Sequence, residues 1–397
     1  MMYPCSRTLG AILPGCGMNP RVLADLRLRI GVRLAALVLL LVLVGCTSPQ
    51  PRPTARTPDE VRAQLVHLIP PKTPDRAGWA ADIQSSFLLL DIPPSTENLC
   101  AALAVIAQES TFVADPVVPD LGRIARKEIE HRAAQHHVPA FAVGVALMLK
   151  SSDGRSYADR IARVRSEREL SEIYEDLIGR VPLGRQLFAD SNPVRTGGPM
   201  QVSIAFAERH AADHANPFAA DGSIRHAVFT RRGGLYFGIA HLLDYPSNYP
   251  RHIYRFADFN VGWYASRNAA FQNALGIATG VPLALDGDLL VPGRLSATEA
   301  AARTLGPQLG LGDAGIHRQL GMSDGLAFEE SALYRGVFEI ADRRKGKPMA
   351  REMIPQIRLE SPKITRKLTT EWFANRVQAR YQRCVNQAFA DIRQTPD

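Results

Sequence analysis

The segment Leu99 to Phe112, LCAALAVIAQESTF, constrains the fold more than any other stretch of the chain. Leu99, Ala102, Leu103 and Ile106 recur at i, i+3, i+4 and i+7, the spacing of one buried helix face. The run then meets Glu109, so a carboxylate stands at the edge of an apolar surface. Such a group either bends out to water at the helix end or acts as a general acid, since apolar neighbours disfavour its charged form.

The N-terminal segment supplies a second constraint. Arg33 to Cys46, RLAALVLLLVLVGC, is an apolar run short for a membrane span and is preceded by Arg21, Arg27 and Arg29, the pattern of a signal peptide. Its end, Leu43-Val44-Gly45-Cys46, resembles the lipobox of bacterial lipoproteins, in which the cysteine thiol receives diacylglycerol. That resemblance implies removal of residues 1–45, a membrane anchor at Cys46 and, with Thr47 rather than Asp following, transfer to the periplasmic side of the outer membrane. Residues before Met18 read as an upstream extension, because Met18 alone gives a leader of ordinary length.

Composition then follows from that cut. The chain of 397 residues is 46% hydrophobic and 22% charged, with a formal net charge of +8, which is globular rather than disordered. Residues 1–45 hold five Arg and one Asp, so their loss leaves about +4 by the same formal counting. That mild balance does not call for nucleic acid and suits an anionic polymer such as the cell wall. Cys5 and Cys16 leave with the signal and Cys46 is lipidated, so Cys100 and Cys384 remain. In an oxidising compartment they are expected to pair; the alternative is two buried thiols.

Residues 46–58, rich in Pro, Ser and Thr, read as a tether. Pro93, Pro94 and Ser95 mark a helix start before Leu99. Charged, Ala-rich stretches between residues 121 and 180 predict amphipathic helices, and SNPVRTGGPMQ predicts a loop. Helices are expected over VSIAFAERHAADH, GGLYFGIAHLLDY, RHIYRFADF and TTEWFANRVQARYQRCVNQAFADI. Two short apolar runs around Asp286-Gly287 predict a tight β-hairpin. The expected fold is therefore mainly α with a small β element.

Three short stretches stand out when taken together. Glu109-Ser110 is followed by the turn Gly198-Pro199-Met200-Gln201 and then by Phe259-Asn260-Val261-Gly262, with GGLYFGIAHLL and its Tyr236 between the last two. Their order and residue types resemble the lytic transglycosylase and goose-type lysozyme group, whose members carry a Glu-Ser pair, a Gly-Leu-Met-Gln turn, a Gly-x-x-Tyr-Leu helix and Ala-Tyr-Asn-x-Gly. The chain as a whole also resembles a group of proteobacterial lipoproteins of unknown function. The likeness to the first group covers roughly residues 95 to 270 and implies a lysozyme-like helical domain over residues 59–280. A helical insertion at about 115–195 interrupts it, and a hairpin with further helices over residues 281–397 packs on the same domain. Pro199 replaces the usual Leu, and Phe259 replaces a Tyr whose hydroxyl lies near the acid in that group; Tyr254 and Tyr264 are the candidate substitutes.

The resemblance implies cleavage of the β-1,4 bond between N-acetylmuramic acid and N-acetylglucosamine in peptidoglycan. Glu109 would protonate the leaving oxygen as a neutral carboxyl. The substrate's N-acetyl group would steady the oxocarbenium-like centre, and ionised Glu109 would take the 6-hydroxyl proton to close a 1,6-anhydro ring. Ser110 would anchor the loop beside Glu109 or bond its carboxylate. Gln201 and Asn260 would bond sugar amide and hydroxyl groups, Met200 and Phe259 would offer apolar surface, and Tyr236 would sit near the acid. No cofactor is implied.

His210, Asp213 and His214 lie at i, i+3 and i+4, yet neither a zinc protease motif nor a third ligand accompanies the histidines, so an exposed helical face is the preferred reading and no metal is expected. The same holds for His131, His136 and His137. Asp286 or Asp288 as a second carboxylate would make a muramidase hydrolase instead. The competing class is an envelope lipoprotein that binds or scaffolds peptidoglycan without cleaving it.

Overall fold

The computed structural model describes residues 56–392 apart from 136, 181–182, 184–185, 187–190, 221 and 360–365. Cys46, the signal segment 1–45, His136 and most of the tether lie outside the described residues. Residues from Arg56 onward form one compact unit. Order begins earlier than the tether's expected end: Arg56 donates to Pro94 O and to Gln64 Oε1, and Thr57 and Glu60 form a reciprocal cap.

That cap opens α1 (Pro58–Leu68), which is followed by α2 (Arg76–Leu89) and α3 (Thr96–Glu109). Ser95 caps α3 through the Asn98 N–H, as the sequence predicts. Every residue from Leu99 to Ile106 is buried, not one face alone. A helix apolar all round belongs inside a core, and the alanines of α3 let neighbours close in from each side.

The charged stretches after residue 120 form helices, as expected: α4 (Leu121–Gln135), α5 (Ala140–Leu147), α6 (Tyr157–Arg163) and α7 (Glu167–Gly179). The two-residue strands β1 (Thr196–Gly197) and β2 (Val202–Ser203) pair antiparallel around the Gly198–Gln201 turn. Then come α8 (Ile204–Asp213), α9 (Ile224–Val228), α10 (Arg231–Leu243), α11 (His252–Val261) and α12 (Ala265–Thr279). The C-terminal part contains α13 (Ala297–Thr304), α14 (Gly306–Leu309), α15 (Asp313–Leu320), a 3₁₀ turn (Leu326–Glu330) and α16 (Ala332–Lys345). A second two-residue pair, β3 (Arg358–Leu359) with β4 (Leu368–Thr369), leads into α17 (Thr370–Ile392). The described residues are thus mainly α-helical.

Three apolar clusters organise these helices. The first joins α1–α3, α11 and α17; the second joins α4–α7 to α8 and α9; the third joins α12, α13, α15 and α16. Helix α10 lies between the first two, giving Leu235, Ile239 and Leu242 to one and Tyr236, Phe237 and Ala240 to the other. Its Gly238 lets Met200 press against the backbone, since a Cβ there would stand 2.5 Å from the Met200 sulfur.

The hairpin expected at Asp286-Gly287 does not form. Gln272 of α12 captures that turn: its Nε2 donates to Asp286 Oδ1 at 2.8 Å and to Asp288 O at 3.1 Å, while its Oε1 accepts from the Gly287 N–H. Backbone groups satisfied by a helix side chain need no strand partner. The disulfide Cys100–Cys384 is present, with Cα atoms 5.6 Å apart, and ties α3 to α17.

Candidate functional site

Glu109 is the last residue of α3 and is half-buried. The helix stops because Ile106 O accepts from Ser110 N, Thr111 N and Ser110 Oγ at 3.0, 3.1 and 3.2 Å. Ser110 therefore closes the helix end through Ile106 O. The next residues, Thr111 and Phe112, both have left-handed backbone, φ 53° and 61°. Two consecutive non-glycine residues in that region cost on the order of 1–2 kcal/mol each, and such strain gathers at functional sites.

The turn aims Phe112 into the core and Thr111 and Val113 toward a cleft of about 430 Å³. The Phe112 ring meets Trp79 edge to face at 5.5 Å, and Arg231 lies over Trp79 at 5.4 Å. Arg231 is held in turn by Asp75 and Asp82. That pairing, with the Gly78 N–H, keeps the Asp75 carboxyl below the usual carboxylate range. Exposed Lys72 completes this wall. Sequence reasoning missed Trp79, Asp75 and Arg231, which come together only through the packing of α2 on α10.

On the other side of Glu109 runs α17. The disulfide fixes Cys100 against Cys384, and Glu109 acts electrostatically on Arg380, opposing the burial and the Arg376 and Arg383 charges that lower the Arg380 pKa. Stepping forward along α3 while stepping back along α17 requires the two helices to run antiparallel. Thr370, at the start of α17, donates to Asn260 Oδ1 at 3.2 Å. The C-terminal ends of α3 and α11 are thereby both referred to one helix.

The other expected sugar-binding residues fall differently. Met200 is fully buried beneath α10, and Phe259 is buried against His241 at 5.0 Å, so neither offers apolar surface to a saccharide. Tyr236, whose pKa burial raises, belongs to the second cluster beside Phe218 and Phe237, whereas Glu109 ends the central helix of the first. Gln201 accepts from Thr196 Oγ1 at 3.1 Å and donates to Gly198 O at 3.4 Å, so its amide secures its own turn. Neither substitute for the missing tyrosine hydroxyl points to Glu109: Tyr254 Oη accepts from Arg251 and Tyr264 Oη donates to Pro246 O. Glu109, Gln201 and Asn260 line neither this cleft nor a second one of about 330 Å³ bordered by Asp91, Asn98, Asp244 and Arg255.

A buried carboxylate escaped the sequence reading. Asp258, fully buried in α11, accepts from Tyr245, Tyr249, Tyr264 N and Ser266 N at 2.7–3.1 Å. Burial pushes its pKa up to about 6 despite these donors. It fixes the Asn260–Tyr264 break between α11 and α12, where Tyr264 is left-handed at φ 62°. The histidine pair also gains a neighbour: Asp244 Oδ2 lies 3.1 Å from His210 Nε2, and His210, His214 and Asp244 offer three donor atoms within 4.8 Å of one another. Asp213 is not among them.

Residues 72–387 match the family described as a protein of unknown function, DUF1615. The chain belongs to the DUF1615 family. It is 52% identical over 359 residues to the Escherichia coli (strain K12) protein named uncharacterized protein YaiW, covering 89% of this chain and 97% of that protein. No solved structure matches the chain. Among the described residues no helix is long and apolar enough to cross a membrane.

Proposed function

We propose that the protein acts on peptidoglycan as a lytic transglycosylase, with Glu109 as acid and then base. It would be a lipoprotein held by Cys46 at the periplasmic side of the outer membrane. One observation carries this reading: a half-buried glutamate ends an apolar helix and is followed at once by two left-handed residues that wall a cleft. A carboxyl at such an edge has the mixed surroundings that proton donation to a leaving oxygen requires. Trp79 lies buried under this wall, Arg231 is balanced by Asp75 and Asp82, and exposed Lys72 is the cation that the cleft would offer to an anionic glycan strand.

A second reading, glycan binding without cleavage, is favoured by a specific feature. The amides of Gln201 and Asn260 are tied within the protein, and the hydroxyls of Tyr254 and Tyr264 are engaged by Arg251 and Pro246 O. Mass analysis of muropeptides released from purified peptidoglycan by the protein and by Glu109→Gln separates the readings. Anhydro-ended products that vanish with the variant support the transglycosylase. Reducing ends indicate a muramidase hydrolase. Binding without release leaves a scaffolding lipoprotein.

A further inference from the structure

We propose that His210, His214 and Asp244 form a zinc-binding site, independent of any action on glycan. The three residues come from two helix ends. His210 lies in the last turn of α8 and His214 is its C-terminal cap, while Asp244 is the C-terminal cap of α10. The two helices thus bring their carbonyl ends to one place. Partial negative charge at a helix C-terminus favours a cation, and the Asp244 carboxylate adds a full charge between them.

The ligands are held by their surroundings. His210, with a side chain 2% exposed, is packed among Phe206, Tyr236 and Phe237 at ring distances of 5.6, 5.8 and 6.1 Å. Its Nε2 is already 3.1 Å from Asp244 Oδ2, close to the separation of about 3.3 Å between two donors on one tetrahedral zinc ion. His214 Nδ1 lies 3.1 Å from His210 O. A carbonyl only accepts, so Nδ1 carries the proton and Nε2 keeps its lone pair, the tautomer that a metal-ligating histidine adopts when its other nitrogen is bound. The His214 ring stacks on His210 at 4.3 Å.

All three donor atoms lie within 4.8 Å of one another, so reaching the spacing of about 3.3 Å on a zinc ion takes a closure of at most about 1.5 Å. The movement falls to His214, the exposed member of the set, which tilts about its Nδ1 bond to His210 O. Two imidazoles and one carboxylate suit zinc better than magnesium or calcium, whose sites are built from oxygen. With three protein ligands the fourth position faces solvent on the His214 side, and a water completes the set.

The full chain, purified in detergent without a histidine tag and stripped with a chelator, is titrated with Zn²⁺ by calorimetry and with Co²⁺ by visible absorption. The expected result is one ion per chain at micromolar affinity or tighter, with a tetrahedral Co²⁺ spectrum that Zn²⁺ abolishes. His214→Ala, an exposed substitution that leaves packing intact, and Asp244→Asn are each expected to weaken binding at least tenfold. Thermal melting of both variants verifies that they are folded. Absence of one-to-one binding in the stripped protein, or binding unchanged in both variants, overturns the proposal.

Discussion

Tyr249 donates its hydroxyl to Asp258 Oδ2 at 2.7 Å, and the carboxylate it serves is closed off from solvent. Burial holds the Asp258 pKa at about 6 against an unfolded value of 3.8, and burial with the nearby Arg209 charge holds His241 at about 4 against 6.5. The two shifts act on stability in opposite senses. Asp258, raised, contributes stability that is complete below pH 3.8 and is lost as pH rises through about 6. His241, lowered, contributes stability that is complete above pH 6.5 and is lost as pH falls through about 4. Each contribution is on the order of 3 kcal/mol, so they nearly cancel. Urea unfolding between pH 4 and 7 is expected to show Asp258→Asn gaining stability with pH relative to the parent, and His241→Gln losing it. Parallel profiles for all three proteins would refute the shifts.

The Cys100–Cys384 bridge closes a segment of 284 residues and joins α3, which ends at Glu109, to α17. Constraining so long a loop in the unfolded chain stabilises by roughly 2–5 kcal/mol. Replacing both cysteines with serine is expected to lower the urea midpoint accordingly. Because α17 then holds to α3 by packing alone, hydrogen exchange should quicken first along α17. Equal protection of α17 with and without the bridge would count against its role as a clamp.

Several features were legible because the residues responsible are local. The apolar run of α3, the Ser95 cap and the helices after residue 120 follow from short-range pattern, and Cys100 and Cys384 are the pair left once the expected signal and lipidation cysteines are set aside. What was hidden depends on which neighbour each side of a helix meets. Nothing in GGLYFGIAHLL tells that Tyr236 turns to one cluster and Leu235 to another, since α10 is buried on all sides. Gln272 likewise overrides the hairpin signal of Asp286-Gly287 from 14 and 15 residues away. Asp244 joins His210 across 34 residues.

Arg267 is 1% exposed, yet it carries a charge. Its guanidinium donates to Gly325 O, Ser323 O and Asn268 Oδ1, lies over the Tyr264 ring at 4.3 Å and stands 3.8 Å from Glu329. It pins α12 to the turn before the 3₁₀ segment. Lysine cannot reproduce the planar fork, and a buried cation with fewer partners is costly. Arg267→Lys is expected to destabilise the protein by about 3 kcal/mol or more, read as a lower urea midpoint. A loss under about 1 kcal/mol would show that the carbonyls are readily satisfied without it.

Lys72 tests the cleft itself. It is exposed, so a substitution there should leave the core unchanged, and it lines the same wall as Thr111 and Val113, the residues that follow Glu109. Glycan strands of the cell wall carry lactyl and peptide carboxylates, which a cationic rim attracts and an anionic one repels. Reversing one charge in such a partly exposed setting is worth about 1 kcal/mol, roughly a fivefold change in affinity. Lys72→Glu is therefore expected to reduce sedimentation with purified peptidoglycan about fivefold at low salt while leaving the melting temperature unchanged. Arg318→Glu, an exposed position on α15 outside the cleft, serves as the charge-matched control. If the two variants lose binding equally, attraction is a property of net charge and the cleft is not the glycan's seat.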